Sequence, residues 1–239
     1  MSKWISVLAA MVVGMTTAYA ASPVAASQPD GGQAGALRGL EVGTRIIHVM
    51  LQEDEKGTGT DTRDDNFLGS IDMLDEDQDY APTRLYLQYF FSENFGVGIS
   101  YDSVEADAKD ESASDGVISV DGPILYLVGR YPNASDFTLF AELGVAFYQS
   151  SFDPVEGWAD DGDFRRFMET DDTEALVLGF GCDYAITESL SVNLYARVVE
   201  GASFDAAHYN TEDASKPRQS GSFNLDYFGT GVGIKYAFQ

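Results

Sequence analysis

The 239-residue chain contains one cysteine, Cys182, so no disulfide can form within it. Cations are scarce: 14 Lys and Arg stand against 39 Asp and Glu, a formal net charge of −25. A surface of that sign repels phosphate, which excludes nucleic acid as a partner. Imidazoles are fewer still, His48 and His208 alone, so catalysis through histidine has two candidates. Beyond the first twenty residues no run of 18 or more apolar residues occurs, which leaves no transmembrane helix to predict.

The first twenty residues read as an export signal. Lys3 provides the charged start, Ile5 to Met15 the apolar stretch, and Ala18-Tyr19-Ala20 a small-residue cleavage site. The stretch is too short for a membrane span, and no cysteine follows the site to carry a lipid. The expected organisation is a signal peptide over 1–20, a flexible lead-in over 21–38, rich in Pro, Gly and small residues, and one domain over 39–239. The processed chain is expected to start at Ala21 and to leave the cytoplasm.

Aromatics and glycine are abundant, with 13 Tyr, 15 Phe and 24 Gly, and they sit in alternating patterns. The final GVGIKYAFQ sets Val232, Ile234, Tyr236 and Phe238 against Gly231, Gly233, Lys235 and Ala237. Alternation of period two is strand behaviour. It predicts eight strands, over 39–51, 79–92, 94–106, 118–131, 137–151, 173–186, 189–203 and 222–238. At about 12 to 17 residues these are longer than the usual ~5–6 of a soluble strand and suit a tilted bilayer crossing. Connections alternate too. Short turns occur at Ser92-Glu93-Asn94, Pro132 to Asp136 and Thr187-Glu188, and long acidic segments run over 52–78, 107–117, 152–172 and 204–221. Long loops on one side and tight turns on the other fit a closed, antiparallel, up-and-down transmembrane β-barrel of eight strands, with both termini on the turn side.

One face of each strand is apolar. Val192, Leu194, Ala196 and Val198 oppose Asn193, Tyr195 and Arg197; Leu85, Leu87, Tyr89 and Phe91 oppose Arg84, Tyr86 and Gln88. The glycine-rich, charged face is assigned to the lumen. It carries Glu41, Arg45, Arg84, Asp102, Arg130, Glu142, Asp183, Arg197 and Lys235, five cations and four anions, which suggests an ion-pair network. Counting outward from the turn at 92–94 sets Arg84 opposite Asp102, an attractive cross-strand pair. An eight-stranded interior is just wide enough for side chains to fill it, so a largely plugged lumen is expected. Aromatics gather at strand ends. Phe90, Phe91, Phe95, Tyr131, Phe137, Tyr184, Tyr236 and Phe238 form a girdle at the turn side. Tyr101, Phe147, Tyr148 and Phe152 form a sparser one at the loop side.

On FFSENFGVGISYD (90–102), TLFAELGVAFY (138–148), LGFGCDYAITESLSVNLYARVV (178–199) and FGTGVGIKYAF (228–238), the chain resembles the eight-stranded outer-membrane barrel domains of the OmpA, OmpX and OmpW-like group. The resemblance covers nearly all of the exported chain. It implies a monomer in the outer membrane of a Gram-negative bacterium, in contact with lipid and lipopolysaccharide and handled by periplasmic chaperones and the barrel-assembly machinery. It also implies an assembly signal at the C-terminal aromatics, Tyr236 and Phe238, although Gln239 follows them. The function it suggests is a structural, surface-exposed barrel. A narrow channel, or an OmpW-like passage for small solutes, is the alternative, and a lipid A-modifying enzyme a third.

No catalytic residue and no cofactor is expected. His48 sits near the loop end of strand 1, where Ser70 or Asp65 could approach it, and His208 lacks the H-x-S arrangement of a deacylase. The acidic runs Asp75, Asp77, Asp79 and Asp160, Asp161, Asp163 supply oxygen ligands for weak binding of divalent cations. Their spacing does not match a calcium-binding loop, and solvated loops are the plainer reading.

Overall fold

The computed structural model describes residues 39–52, 58–59, 73–77, 84–110, 113–131, 135–161, 164–211, 214, 217 and 219–238. The predicted signal peptide, the whole lead-in, Ser70, Asp65, Asp79 and Asp163 lie outside these residues. No helix among the described residues is long and apolar enough to cross a membrane.

Eight long strands carry the fold: β1 (Leu40–Leu51), β2 (Arg84–Phe90), β3 (Phe95–Asp110), β4 (Ala113–Tyr131), β5 (Phe137–Pro154), β6 (Thr173–Ala185), β7 (Leu190–Glu200) and β8 (Tyr227–Ala237). Each pairs antiparallel with its sequence neighbours. β8 returns to β1, with Arg45 facing Gly233, and the sheet closes into a barrel. Tyr86 faces Ser100, the register counted from the turn at 92–94.

The three short turns share one device. A hydroxyl accepts the N–H that opens the next strand: Ser92 Oγ from Phe95 (2.9 Å), Ser135 Oγ from Phe137 (3.2 Å) and Thr187 Oγ1 from Leu190 (2.9 Å). Such side-chain turns satisfy the backbone where the ladder stops. Gly39 opens β1 with φ +89°, and a Cβ there would lie 2.5 Å from the Phe90 carbonyl. Only glycine fits that corner, which the Phe90 N–H closes by donating to the Gly39 carbonyl.

Sidedness reverses along β3, β4 and β5. From the turn end, β3 points Phe95, Val97, Ile99 and Tyr101 outward, all exposed, and Gly98, Ser100 and Asp102 inward. Past Asp102 the outward residues become Ser103, Glu105 and Asp107, and the inward ones Val104, Ala106 and Ala108, which are buried. On β4, Leu127 and Leu125 give way to Asp121 and Ser119 outside, while Val120 and Ile118 are buried inside. An exposed apolar belt around a polar interior is stable only against hydrocarbon. Polar-out and apolar-in is the arrangement for water. One continuous sheet therefore serves two solvents, with the changeover near Asp102.

Three expectations are corrected here. Segment 107–117 is not a loop: β3 and β4 run on as a ladder to Asp110 and from Ala113. The other long segments hold a second sheet, in the order Thr58–Gly59, Gln219–Asn224, Ser203–Asn210, Phe164–Thr170, Asp160–Asp161. Strand 7 accordingly stops at Glu200, and the predicted strand 222–238 is two strands broken at Leu225 and Asp226. Phe204, Phe223 and Leu225 from this region join Phe152, Trp158, Val104 and Ile118 in a buried apolar cluster. Burying such a side chain contributes roughly 1.5–3 kcal/mol, which solvated loops would forgo. The girdles are thinner than predicted: Phe90, Tyr148 and Phe152 point inward and are buried. Adjacent residues of a strand cannot both face lipid, so Phe91 and Phe147 take the outer positions.

Besides a register shift at Ala108 and Lys109 between β3 and β4, the wall has an irregular seam between β4 and β5. β4 and β5 pair from Gly116 to Asp121 and again from Ile124 to Tyr131, skipping Gly122 and Pro123. Pro123 has no N–H to give the ladder. Gly122 lies so close to β5 that a Cβ would fall 1.9 Å from the Phe147 carbonyl oxygen.

Candidate functional site: the charged lumen

All nine charged residues assigned to the lumen point inward, and they meet in three layers. Nearest the turn end, Lys235 Nζ of β8 lies 2.9 Å from Glu41 of β1 and 2.5 Å from Asp183 of β6. Arg130 of β4 reaches Glu41 at 2.7 Å, donates to the Glu93 carbonyl and covers the Phe90 ring at 3.8 Å.

At mid-height Arg45 of β1 crosses the barrel to Glu142 of β5 as a two-pronged pair, 2.9 and 3.3 Å. Its guanidinium lies between the rings of Tyr86 (4.2 Å) and Tyr195 (3.8 Å), a favourable cation–π geometry. Glu142 also accepts from Gln88 (3.0 Å) and Tyr195 (2.9 Å). Asn193 donates to the Tyr86 hydroxyl at 2.8 Å.

At the changeover, Asp102 of β3 is fully buried and holds four partners. Arg84 of β2 approaches at 2.9 Å, Arg197 of β7 at 2.5 Å and the Tyr148 hydroxyl at 2.9 Å; the Tyr227 hydroxyl also donates to it. Arg84 donates in addition to the carbonyls of Ile47 (3.1 Å) and Ser103 (2.6 Å). A buried charge is tolerable only when its lone pairs and protons are taken up in this way.

The phenols need room, and glycines on neighbouring strands provide it. A Cβ on Gly43 would lie 2.4 Å from the Tyr86 ring, and one on Gly98 2.4 Å from Tyr126. A cavity of about 10 Å³ sits between the first two layers, beside Arg45, Gln88 and Asp183. A wider one of about 310 Å³ opens at the turn-end mouth, beside Glu41, Asp183 and Lys235.

The alternation places Tyr86, Gln88, Asn193 and Tyr195 on the inner face but gives them no partners, and it misses Tyr126, Tyr148 and Tyr227 as members of this network. Their signal was inward phase combined with a glycine on the adjacent strand. The other predicted sites are scattered. His48 is exposed on the outer face of β1, beside Thr230. His208 is buried, with Nδ1 3.2 Å from Gln219 Oε1 and its ring against Trp158. Asp75 and Asp77 lie in a short strand opposite Asp107 and Glu105 of β3, and Asp160 is exposed. No group of three or more His, Cys, Asp or Glu among the described residues is disposed to hold a metal ion. Tyr236 and Phe238 pack edge to face at 5.1 Å, and the Phe238 N–H donates to the Leu40 carbonyl.

A closed eight-stranded barrel with an exposed apolar belt and a paired, charged interior is an outer-membrane β-barrel. Residues 53–238 match the OmpA-like transmembrane domain, and the chain belongs to that family. Its fold is similar to the crystal structure of the outer membrane protein OprG from Pseudomonas aeruginosa, with 17% identity, TM-score 0.59, and 84% of this chain and 97% of that one covered. It is also similar to the solid-state NMR structure of the outer membrane protein AlkL in DMPC bilayers, with 16% identity, TM-score 0.57, and 92% and 97% covered. Comparison with curated proteins finds no match.

Proposed function

We propose that this protein is a non-conducting, non-enzymatic surface barrel of the outer membrane. Its termini and short turns face the periplasm, and its outer section and acidic loops face the cell exterior. The observation that carries the reading is the lumen. All nine charged side chains are in ion pairs, several of them across the barrel, and between the first two layers the cavity is about 10 Å³, room for about one water, the wider space of about 310 Å³ lying at the turn-end mouth. Short turns and the ends of the first and last strands, Leu40 and Ala237, at one end match the usual layout, with longer loops outside the cell. Lipid, lipopolysaccharide and the barrel-assembly machinery are the partners this reading requires, and no cofactor enters it. The test is planar-bilayer recording. The wild-type protein should give no conductance steps, and the Arg45→Ala/Glu142→Ala double variant should give them. Steps from the wild type would overturn the reading.

A second reading is favoured by a separate observation. Beyond Asp102 the interior is mostly apolar, with Asp115, His208 and Gln219 buried among it, and the β4–β5 ladder is interrupted at Gly122 and Pro123 beside it. Such an interior accepts small apolar molecules and rejects ions, and the seam offers a way from it into lipid. Uptake of toluene by the barrel in vesicles, read by NMR saturation transfer to outer-core methyl groups, supports this reading. Absence of transfer refutes it.

A further inference from the structure

One member of the apolar outer core, Trp158, comes from outside the barrel strands. Trp158 sits on a helical turn, Glu156–Ala159, that follows β5. It is 2% exposed, edge-on to Phe152 at 5.0 Å and against His208 at 5.4 Å. Its indole N–H is buried and has no acceptor among the described residues. Buried donors are normally paired, and an orphan calls for an explanation. The turn itself is slight. The Trp158 and Ala159 N–H groups both return to the Val155 carbonyl, and no side chain caps the turn's start. Glu156 and Gly157 are exposed, and a Cβ on Gly157 would meet nothing within 4 Å. A bond that leaves the turn runs from the Val155 N–H to the Asp115 carbonyl of β4, at 3.0 Å.

We propose that Trp158 is a displaceable stopper: the Val155–Ala159 turn swings outward, hinged where Asp160 pairs with Arg165, and opens the apolar outer core to the cell exterior. The proposal rests on the second reading above, for which it names the point of entry. Closure buries the indole ring, which favours it through the hydrophobic effect. The same closure strips the indole N–H of water and supplies no partner, which opposes it. Opening reverses both effects, since water then accepts the N–H while the ring is exposed. A small apolar molecule that takes the ring's place beside Phe152 removes the main penalty of opening. Movement of so short a turn needs no change in the ladder of β5, which ends at Pro154.

The sequence has two tryptophans, and Trp4 lies in the predicted signal peptide, so the exported chain from Ala21 reports on Trp158 alone. In lipid vesicles its emission should be blue-shifted and weakly quenched by acrylamide. Saturating toluene should shift it to the red and raise the quenching constant at least threefold. Asp115 and Val155 continue the antiparallel β4–β5 register, at a spacing near 5.5 Å that a disulfide can bridge. Asp115→Cys/Val155→Cys with Cys182→Ser should therefore lose the toluene response when oxidised and regain it on reduction, so the reduced form checks folding. Toluene taken up, by saturation transfer, with no change in Trp158 emission would overturn the stopper and leave apolar uptake standing. An undiminished response in the oxidised variant would also overturn it. No uptake by either wild type or Trp158→Ala would overturn both the stopper and the reading beneath it.

Discussion

Removing Asp102 and removing Arg84 should have very different consequences, although the two form one ion pair. Arg84→Ala leaves the Asp102 carboxylate with Arg197 at 2.5 Å and with the hydroxyls of Tyr148 and Tyr227. The charge stays compensated, so the loss is close to that of one charged hydrogen bond, about 1.5–3 kcal/mol. Asp102→Ala strands two guanidiniums in the same confined space. Breaking a buried pair by deleting one member costs roughly 3–5 kcal/mol. Here two cations lose their partner and then face each other, and at ~4 Å and an effective dielectric near 20 the repulsion of unit charges approaches ~4 kcal/mol. Water entering from the ends relaxes part of this, so about 5 kcal/mol is expected. The double variant Asp102→Ala/Arg84→Ala should be more stable than Asp102→Ala alone, because one of the two stranded cations has gone. The assay is urea unfolding in lipid vesicles, run as a double-mutant cycle. Equal losses for the single variants, or additive ones, would mean that Asp102 is not the shared node of two arginines.

Face and height should both decide the cost of a charge. Ile99→Arg, outward within the lipid belt, should destabilise by ~2–4 kcal/mol. Glu105→Arg, on the same strand and face but past the changeover, should stay within about 0.5 kcal/mol, and the same urea titration compares them. Gly122→Ala drives a methyl into the Phe147 carbonyl and should destabilise by about 1–3 kcal/mol. Gly129→Ala, whose Cβ would stand 3.7 Å from the nearest atom, should be near neutral, and similar unfolding midpoints for the two would refute the close approach at the seam. A closed barrel has no free edge and pairs its backbone internally, so unboiled and boiled samples should differ in mobility on an SDS gel.

Within the lipid belt, neighbour relations were legible because each rests on local geometry. Alternation assigns the face, and a three-residue turn sets the register that brings Arg84 to Asp102. Contacts across the lumen were not legible. Arg197 reaches Asp102 from β7 and Arg45 reaches Glu142 from β1, and neither strand pair is adjacent. Such contacts depend on barrel radius and strand stagger, which pair-by-pair register does not reveal. The outer section was missed for another reason. The predicted strand 94–106 stops at Ala106, although Asp107 and Ala108 continue the alternation of Val104-Glu105-Ala106, because the acidic run that follows draws the reading towards a solvated loop. The charge belonged to one face only. Strand periodicity, not acid content, was the stronger signal there.

The changeover at Asp102 also acts as a depth stop. A barrel sheathed in uniform apolar residues could slide along the bilayer normal at little cost. This one cannot sink, because the next outward residues beyond Tyr101 and Pro123 are Ser103, Glu105 and Asp121, and carboxylates do not enter hydrocarbon readily. Rising is opposed at the other end, where Tyr131, Phe137, Tyr184 and Tyr236 form an interfacial ring and would be drawn into the lipid interior. The molecule therefore measures the membrane against its own sequence. A bilayer thicker or thinner than the span between those two marks must deform around the barrel, so the strength of its insertion should vary with lipid chain length.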